Sequence, residues 1–305
     1  MSLLKPLVLL AALFFFGVHS AAVSGASEEK GLTLVVMDPL SEPLACDCVK
    51  GYAQRKYEEL GKFLMRELGQ KVDVVWGESL EAAMEQSGGK ADIIIGKHSV
   101  VLADARDAKI HLAPLARLTD LNDKVEQTGL IVVRSSDPAQ SVKDLKGYRI
   151  LFGPADCDEK SASPMELFRS SGIELPKIIE TSPSCSNAAV DLMAMPETEK
   201  ACIVISSYAG PLLEGCGKVK KGDLRVIGES KPVPFITLFV REEMPKADRA
   251  KLSESLENAG LDAKLLVDLE TASGFIPWEE PKNGGEEGSS VSSAKPASLD
   301  AKKKP

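Results

Sequence analysis

The fold of this chain is decided by the stretch LIVVRSSDPAQSVKDLKGYRILFG at residues 130–153. Its first four residues, Leu130 to Val133, are apolar and predict a buried strand, and Asp137-Pro138 predicts the turn that follows it. Ser141 is placed to cap a short helix, and Tyr148 to Phe152 predict a second buried strand. Two apolar strands joined by a turn and a helix indicate a sheet that is covered on both faces.

The same alternation of strands and helices occurs on both sides of this stretch. The first unit comprises a strand at Leu32 to Met37, a helix at Tyr52 to Leu68, a strand at Val72 to Trp76, a helix from Ser79 to Ser87 and a strand at Ile93 to Ile95. The second comprises a strand at Arg149 to Phe152, a helix at Ser163 to Ser171, a strand at Lys177 to Glu180, a helix at Ser186 to Met195 and a strand at Ala201 to Ile205. Two βαβαβ units predict an α/β protein with parallel sheets, helices on both faces and right-handed crossovers. One continuous sheet is the alternative.

A shorter region follows the second unit, with a strand at Ile236 to Val240 and helices near 247–258 and 262–269. Because it is too small to be a domain, we expect it to pack back onto the first unit. The first lobe would then comprise residues 27–128 and 236–278, and the second lobe residues 129–235. Crossing strands near 127–130 and 234–236 would form the hinge.

Both chain ends are set apart by composition. Lys5, the apolar run Leu7 to Val18 and the small residues Ser24 and Ala26 predict a secretory signal peptide over residues 1–26. A retained membrane anchor is disfavoured, because the run is shorter than the roughly 20 residues that a span needs. Residues 279–305, rich in Gly, Ser, Glu and Lys, predict a disordered tail. The net charge of −8 includes Lys5, so the exported chain carries −9 and offers no general basic surface for nucleic acid.

All six cysteines lie in the exported part, and their even number favours disulfides. Cys157 and Cys185 follow neighbouring strands and are predicted to pair, as are Cys202 and Cys216, which one helix separates. Cys46 and Cys48 form a C-D-C motif in which a bridge would close a tight ring. A reactive dithiol or a soft-metal site is the alternative for that motif.

In open parallel sheets a ligand binds beyond the carboxyl ends of the strands. This rule selects the loops 38–51, 96–100, 153–163, 181–186 and 206–208. In the third loop, Ser163-Pro164-Met165-Glu166 predicts a helix start at which Ser163 is the N-cap and Glu166 can close a capping box. The free N–H groups of this helix start could hold an oxyanion with the hydroxyl of Ser161. The alternative is that Ser163 only caps its helix.

Other candidate ligand-binding side chains lie in the remaining loops. Each has a structural alternative, namely a helix cap, a packed ring or a solvent-facing side chain. The candidates are Tyr52, Lys97, His98, Ser99, Ser206, Ser207 and Tyr208. Asp156, Asp158 and Glu159 would oppose a bare dianion and suit a zwitterion or a cation, unless they form a solvated loop.

From about Leu32 to Trp278, the chain resembles the phosphate-, phosphite- and phosphonate-binding members of the type 2 periplasmic binding proteins. The resemblance is carried by residues 130–153, the Ser161-Ala162-Ser163 turn, residues 184–189 and 205–208, and DLRVIGESKPVPFITLFVREEMP at 223–245. The segment from CDCVKGYAQRKYEEL to GKHSVV looks like a divergent exported subgroup. The resemblance implies a two-lobed fold with a hinge of two crossing strands. It also implies that the turn at Ser161 to Ser163, here without a central hydroxyl, grips phosphonate oxygens, and that Ser186 replaces a histidine of the family.

These features predict a periplasmic or otherwise secreted solute-binding protein that captures a small anionic or zwitterionic ligand for an ABC transporter permease. We expect a monomer that is not an enzyme, because no nucleophile, base and orienting group can be assigned, and we expect no cofactor. The alternative is a metal-binding or redox accessory protein that uses Cys46 and Cys48.

Overall fold

The computed structural model describes residues 31–45 and 54–279, which form two lobes around separate sheets. The predicted signal peptide, Cys46, Cys48, Tyr52 and residues 280–305 lie outside the described residues. Within the described ranges, no helix combines the length and the apolar character that crossing a membrane requires.

The first sheet has six strands in the order β13-β4-β12-β3-β1-β2. β1 pairs in parallel with both β2 and β3, as the first βαβαβ unit predicts, and β12 returns antiparallel to β3. The strands are β1 (Leu32–Met37), β2 (Val72–Trp76), β3 (Ile93–Lys97), β4 (Leu112–Leu118), β12 (Ile236–Arg241) and β13 (Phe275–Pro277). The helices of this lobe are α1 (Tyr57–Leu68), α2 (Leu80–Gln86), α3 (His98–Asp107), α7 (Lys246–Asn258) and α8 (Ala263–Asp268).

The second sheet has five strands in the order β10-β6-β9-β7-β8. β7 pairs in parallel with β8 and β9, so the second predicted unit also forms. The strands are β6 (Gly129–Arg134), β7 (Arg149–Phe152), β8 (Glu180–Thr181), β9 (Ala201–Ser206) and β10 (Leu224–Glu229). The helices are α4 (Ala162–Ser170), α5 (Cys185–Ala194) and α6 (Ala209–Gly215).

Each sheet is covered on both faces, which explains the continuous apolar strands. In β1, Leu34 and Val36 enter one core cluster, while Val35 and Met37 enter the cluster on the opposite face. β9 does the same, because Val204 and Ile203 belong to different clusters of the second lobe. The α/β class and the two-lobed architecture predicted from the sequence are confirmed.

A third, two-stranded sheet joins the lobes where the chain passes between them. β5 (Glu126–Gln127) pairs antiparallel with β11 (Val233–Pro234). These are the two places at which crossing strands were predicted. Their action as a hinge, and the division into domains at these points, stay predictions.

Three local predictions are wrong in detail. α4 begins at Ala162 rather than Ser163, and no capping box forms because the Ser163 hydroxyl donates to the Lys231 carbonyl at 2.7 Å. Glu166 is instead paired with Lys231. The strand predicted at 177–180 is reduced to β8, and α1 begins at Tyr57.

Candidate functional site

A cavity of about 390 Å³ lies between the two lobes at the carboxyl ends of their parallel strands. All five loops selected from the sequence contribute lining residues. Apolar side chains such as Met37, Leu40 and Leu212 form much of the wall. The residues with polar or ionisable side chains are Glu78, Lys97, Asp156, Cys157, Lys160, Ser184, Cys185, Ser186 and Tyr208.

A buried ion pair crosses between the lobes beside this cavity. Lys97, at the end of β3, places its Nζ 2.5 Å from Oε1 of Glu159, which lies in a short 3-10 helix after β7. Only 7% of Lys97 and 3% of Glu159 are exposed. Ser206 donates its hydroxyl to the same Oε1 at 2.7 Å, and the Cys157 thiol donates to Oε2 at 3.0 Å. Glu159 is therefore held by donors from both lobes.

Both members of this pair are charged. Burial acts to raise the pKa of Glu159, but the Lys97 ammonium and the three hydrogen bonds outweigh it and lower the pKa to about 2. Burial acts to lower the pKa of Lys97, but the Glu159 carboxylate leads the effects that raise it well above its usual value. The same burial raises the pKa of the Cys157 thiol to about 12, so this thiol stays protonated at neutral pH.

Lys160 is a second buried cation at the cavity, and it is arranged differently. It is 6% exposed and lines the cavity. Among residues 31–45 and 54–279, its ammonium has no hydrogen-bond or salt-bridge partner. The aliphatic part of the side chain packs over Gly153, where an added Cβ would lie 2.4 Å from Cβ of Lys160. Gly153 is thus needed for this position of the ammonium.

The first turn of α5 also lines the cavity. Ser184 is its N-cap and accepts a hydrogen bond from the Asn187 N–H at 3.0 Å. Ser184, Cys185 and Ser186 all line the cavity, and the hydroxyls of the two serines are 3.1 Å apart. N–H groups in a first turn carry partial positive charge and favour anions. The cavity wall therefore carries a helix N-terminus and, in Lys160, an ammonium that no described residue pairs with.

Tyr208 closes the side of the cavity where the lobes meet. The Lys97 ammonium lies 5.6 Å from the centre of its ring, which is a cation–π distance. Tyr208 and Leu212 of the second lobe pack against Leu40 and Ala45 of the first. Apolar contact and an ion pair thus join the lobes at the same place.

Several predicted ligand-binding residues do not line this cavity. Ser161 is buried at the start of α4, and Ser163 lines a separate cavity of about 270 Å³ with Glu166 and Lys231. Ser206 is occupied by Glu159, and Ser207 donates to the Gln127 side chain. His98 stacks on Trp278 with ring centres 4.8 Å apart, and Ser99 accepts the Asp158 N–H at 3.1 Å. The predicted residues that the structure brings to the cavity are Lys97, Ser186 and Tyr208.

Both predicted disulfides are wrong, because Cys157, Cys185, Cys202 and Cys216 are free thiols. Cys202 points into the core face that contains Phe168, while α6, which Cys216 follows, packs on the opposite face through Leu213. The sheet itself separates these two thiols. Cys157 is held by Glu159, and Cys185 accepts a hydrogen bond from the Ser206 N–H at 3.4 Å.

Glu159 and Lys160 were not predicted as site residues. The sequence shows them only as charges in the segment DCDEK, where a solvated loop was one expectation. That expectation is wrong for Glu159, which is buried, while Asp156 and Asp158 remain partly exposed. The described part of the chain has no cluster of three or more His, Cys, Asp or Glu side chains that could hold a metal ion.

Comparisons with known families and solved structures agree with the fold described above. A profile described as "ABC transporter, phosphonate, periplasmic substrate-binding protein" matches residues 51–282. Comparison with curated protein sequences gives no match.

Three solved structures illustrate the shared fold. XAC2383 from Xanthomonas citri, bound to ATP, is 19% identical with a TM-score of 0.60, over 82% of this chain and 91% of that chain. A binding protein component of an ABC phosphonate transporter (PA3383) from Pseudomonas aeruginosa is 16% identical with a TM-score of 0.60, over 82% of each chain. PhnD1 from Prochlorococcus marinus, in complex with methylphosphonate, is 16% identical with a TM-score of 0.59, over 82% of this chain and 93% of that chain.

Proposed function

Because the chain belongs to the phosphonate-binding family of periplasmic substrate-binding proteins of ABC transporters, we propose that it captures a small oxyanion in the cavity between its lobes. The family resemblance drawn from the sequence is confirmed. The alternative of a metal-binding or redox accessory protein finds no support in these comparisons. We propose further that the protein is exported by cleavage of residues 1–26, acts as a monomer and delivers its ligand to a permease.

The observation that carries the proposed site is the Lys160 ammonium on a cavity wall, which has no partner among residues 31–45 and 54–279. A buried lysine without a partner is costly, because its charge is removed from water without compensation. An oxyanion in the cavity would supply that partner, and the first turn of α5 would supply N–H donors and the Ser186 hydroxyl. Ser161 and Ser163 stay predicted ligands, since side chains at a binding site commonly change rotamer when the ligand binds.

The role we propose is binding without catalysis. The Cys157 thiol lines the cavity, but its pKa of about 12 keeps it in the poorly nucleophilic protonated form. Its neighbours Lys97 and Glu159 are held in an ion pair with each other. The Cys157 region therefore resembles the wall of a binding cleft more than a nucleophile with its base.

The test is calorimetric titration of the protein with phosphate and methylphosphonate. Lys160→Met should weaken binding by roughly tenfold or more, the value of one hydrogen bond to a charged group. The matched control is Lys231→Met, which removes an exposed lysine paired with Glu166 outside the cavity. Binding that survives Lys160→Met but is lost when Ser161 and Ser163 are replaced by alanine would move the oxyanion to the turn at α4. No binding of either anion by the unaltered protein would contradict the proposal.

A further inference from the structure

Two buried lysines line the cavity, but only one of them is available to a ligand. The Lys97 ammonium is held by Glu159 at 2.5 Å, and the same carboxylate oxygen accepts the Ser206 hydroxyl. The second oxygen of Glu159 accepts the Cys157 thiol. Freeing Lys97 for a ligand would require breaking its buried pair with Glu159, which Ser206 and Cys157 hold in place. Such a break leaves an uncompensated charge and is strongly unfavourable.

We propose that Glu159 sets which ligand charge the cavity prefers. It neutralises Lys97, so that Lys160 alone faces the ligand and the cavity selects a singly charged oxyanion. This inference rests on the proposed function, since it specifies the ligand class of the same cavity. The class comprises phosphonate monoesters and singly protonated phosphonates or phosphates. Doubly charged oxyanions are selected against.

The charge balance around the cavity supports this assignment. Lys97 and Glu159 cancel, Lys160 contributes one positive charge, and the other described ionisable side chains that line the cavity with a negative charge are Asp156 and Glu78. Both are acids, so neither assists an anion; Asp156 is half-buried and Glu78 is exposed at the surface. A dianion would bring its second charge into a cleft with no further cation among the described residues. The cost of desolvating that charge would be uncompensated.

The test compares ligands that differ mainly in charge. Methylphosphonate carries two charges at mildly alkaline pH, while its monomethyl ester carries one charge at every pH of interest. At mildly alkaline pH, the unaltered protein should bind the ester at least as tightly as free methylphosphonate. Ethylphosphonate, which is close to the ester in size but can carry two charges, separates the effect of charge from that of the added methyl group.

Two variants make the test specific to Glu159. Glu159→Gln leaves both Lys97 and Lys160 positive and should reverse the preference toward the dianion by roughly tenfold or more. The double variant Lys97→Met with Glu159→Gln removes both charges of the ion pair and leaves only the charge of Lys160. It should therefore keep the preference for the ester. It also removes both members of the ion pair, so neither is left as a lone buried charge, and this guards against the loss of fold that the single variant risks.

The outcomes separate this inference from the proposed function. Tenfold tighter binding of methylphosphonate than of its ester by the unaltered protein would overturn the assignment and leave the oxyanion site intact. The assignment would also fail if Glu159→Gln and the double variant showed the same preference. If the unaltered protein bound neither compound nor phosphate, the proposed function would fail and this inference with it.

Discussion

Glu159 shows how one buried carboxylate can organise a cleft. Its partners Lys97, Ser206 and Cys157 come from both lobes, and each donates a hydrogen bond to one of its two oxygens. A buried ion pair adds little net stability compared with apolar side chains of the same size, but removal of one partner is costly. The residue therefore matters most when it is altered alone or protonated.

The first prediction concerns the pH dependence of stability. Because folding lowers the pKa of Glu159 from 4.5 to about 2, its contribution is complete above pH 4.5 and is lost as the pH falls from there toward 2. At neutral pH, Glu159→Gln should lower the free energy of unfolding by about 3–5 kcal/mol. This difference from the unaltered protein should shrink as the pH falls below 4.5, and urea denaturation measures it.

Glu166→Gln is the matched control, because Glu166 forms an exposed pair with Lys231. Its effect at neutral pH should be at most about 1 kcal/mol. A difference between Glu159→Gln and the unaltered protein that stayed constant from pH 7 to the acid limit of folding would contradict the prediction.

At the residue scale, the sequence could place candidates at the cleft but could not assign their partners. Lys97 was selected because it follows a parallel strand, and it does line the cavity. Its partner Glu159 is 62 residues away and on the other lobe, so no local pattern connects them. Charged residues in loops are usually solvated, which made burial of Glu159 and Lys160 the less expected outcome.

At the scale of elements, local signals succeeded where the controlling interaction is itself local. Gly69 ends α1 in the left-handed conformation with φ 67°, and Ser79 caps α2. Ser141 and Asp144 form a reciprocal capping box. The start of α4 was misplaced because Ser163 finds the carbonyl of Lys231, which is distant in sequence. α3 was not predicted, and it buries only Val101 and Ala105, too few to give a periodic signal.

The packing of β6 against the turn that carries Glu159 gives a prediction at this scale. A Cβ on Gly129 would lie 2.0 Å from the Glu159 carbonyl oxygen and 2.6 Å from Pro164, so one of these elements must move. Gly129→Ala should lower the free energy of unfolding by roughly 1–3 kcal/mol, the usual cost of overpacking. It should also weaken oxyanion binding, since Lys160 follows Glu159 directly. Chemical denaturation and calorimetry measure the two effects.

Gly210→Ala provides the comparison, because a Cβ at that position in α6 meets nothing within 4 Å. Alanine is a better helix former than glycine, so this variant should be neutral or more stable by up to about 1 kcal/mol. Equal stability of the Gly129→Ala and Gly210→Ala proteins would show that β6 and the turn are not in firm contact.

At the scale of the whole molecule, the two lobes are joined by interactions of different kinds. The chain passes between the lobes at β5 and β11, which pair with each other. Non-covalent contacts add the ion pair between Lys97 and Glu159 and the hydrogen bond that Ser99 accepts from the Asp158 N–H. In a receptor that closes on its ligand, the bound molecule normally contributes the bridge between lobes. Here a carboxylate of the chain already makes such a bridge. The sequence predicted the two sheets from the βαβαβ order and the crossing strands from the return of residues 236–278 to the first lobe, whereas the bridge depends on tertiary contacts.

The last prediction is that the ion pair biases the unliganded protein toward the closed arrangement of lobes. The pair favours the closed state alone, because opening separates Lys97 from Glu159. Loss of about 1.4 kcal/mol of that preference shifts the ratio of open to closed molecules about tenfold. Glu159→Gln without ligand should therefore show a larger radius of gyration by small-angle X-ray scattering than the unaltered protein. A saturating oxyanion should restore the smaller radius, because the ligand then supplies the missing bridge, while Glu166→Gln should leave the scattering profile unchanged. The prediction would be contradicted if Glu159→Gln and the unaltered protein gave identical profiles with and without ligand. The ion pair would then not control closure, and the apolar contacts around Tyr208 would hold the lobes together.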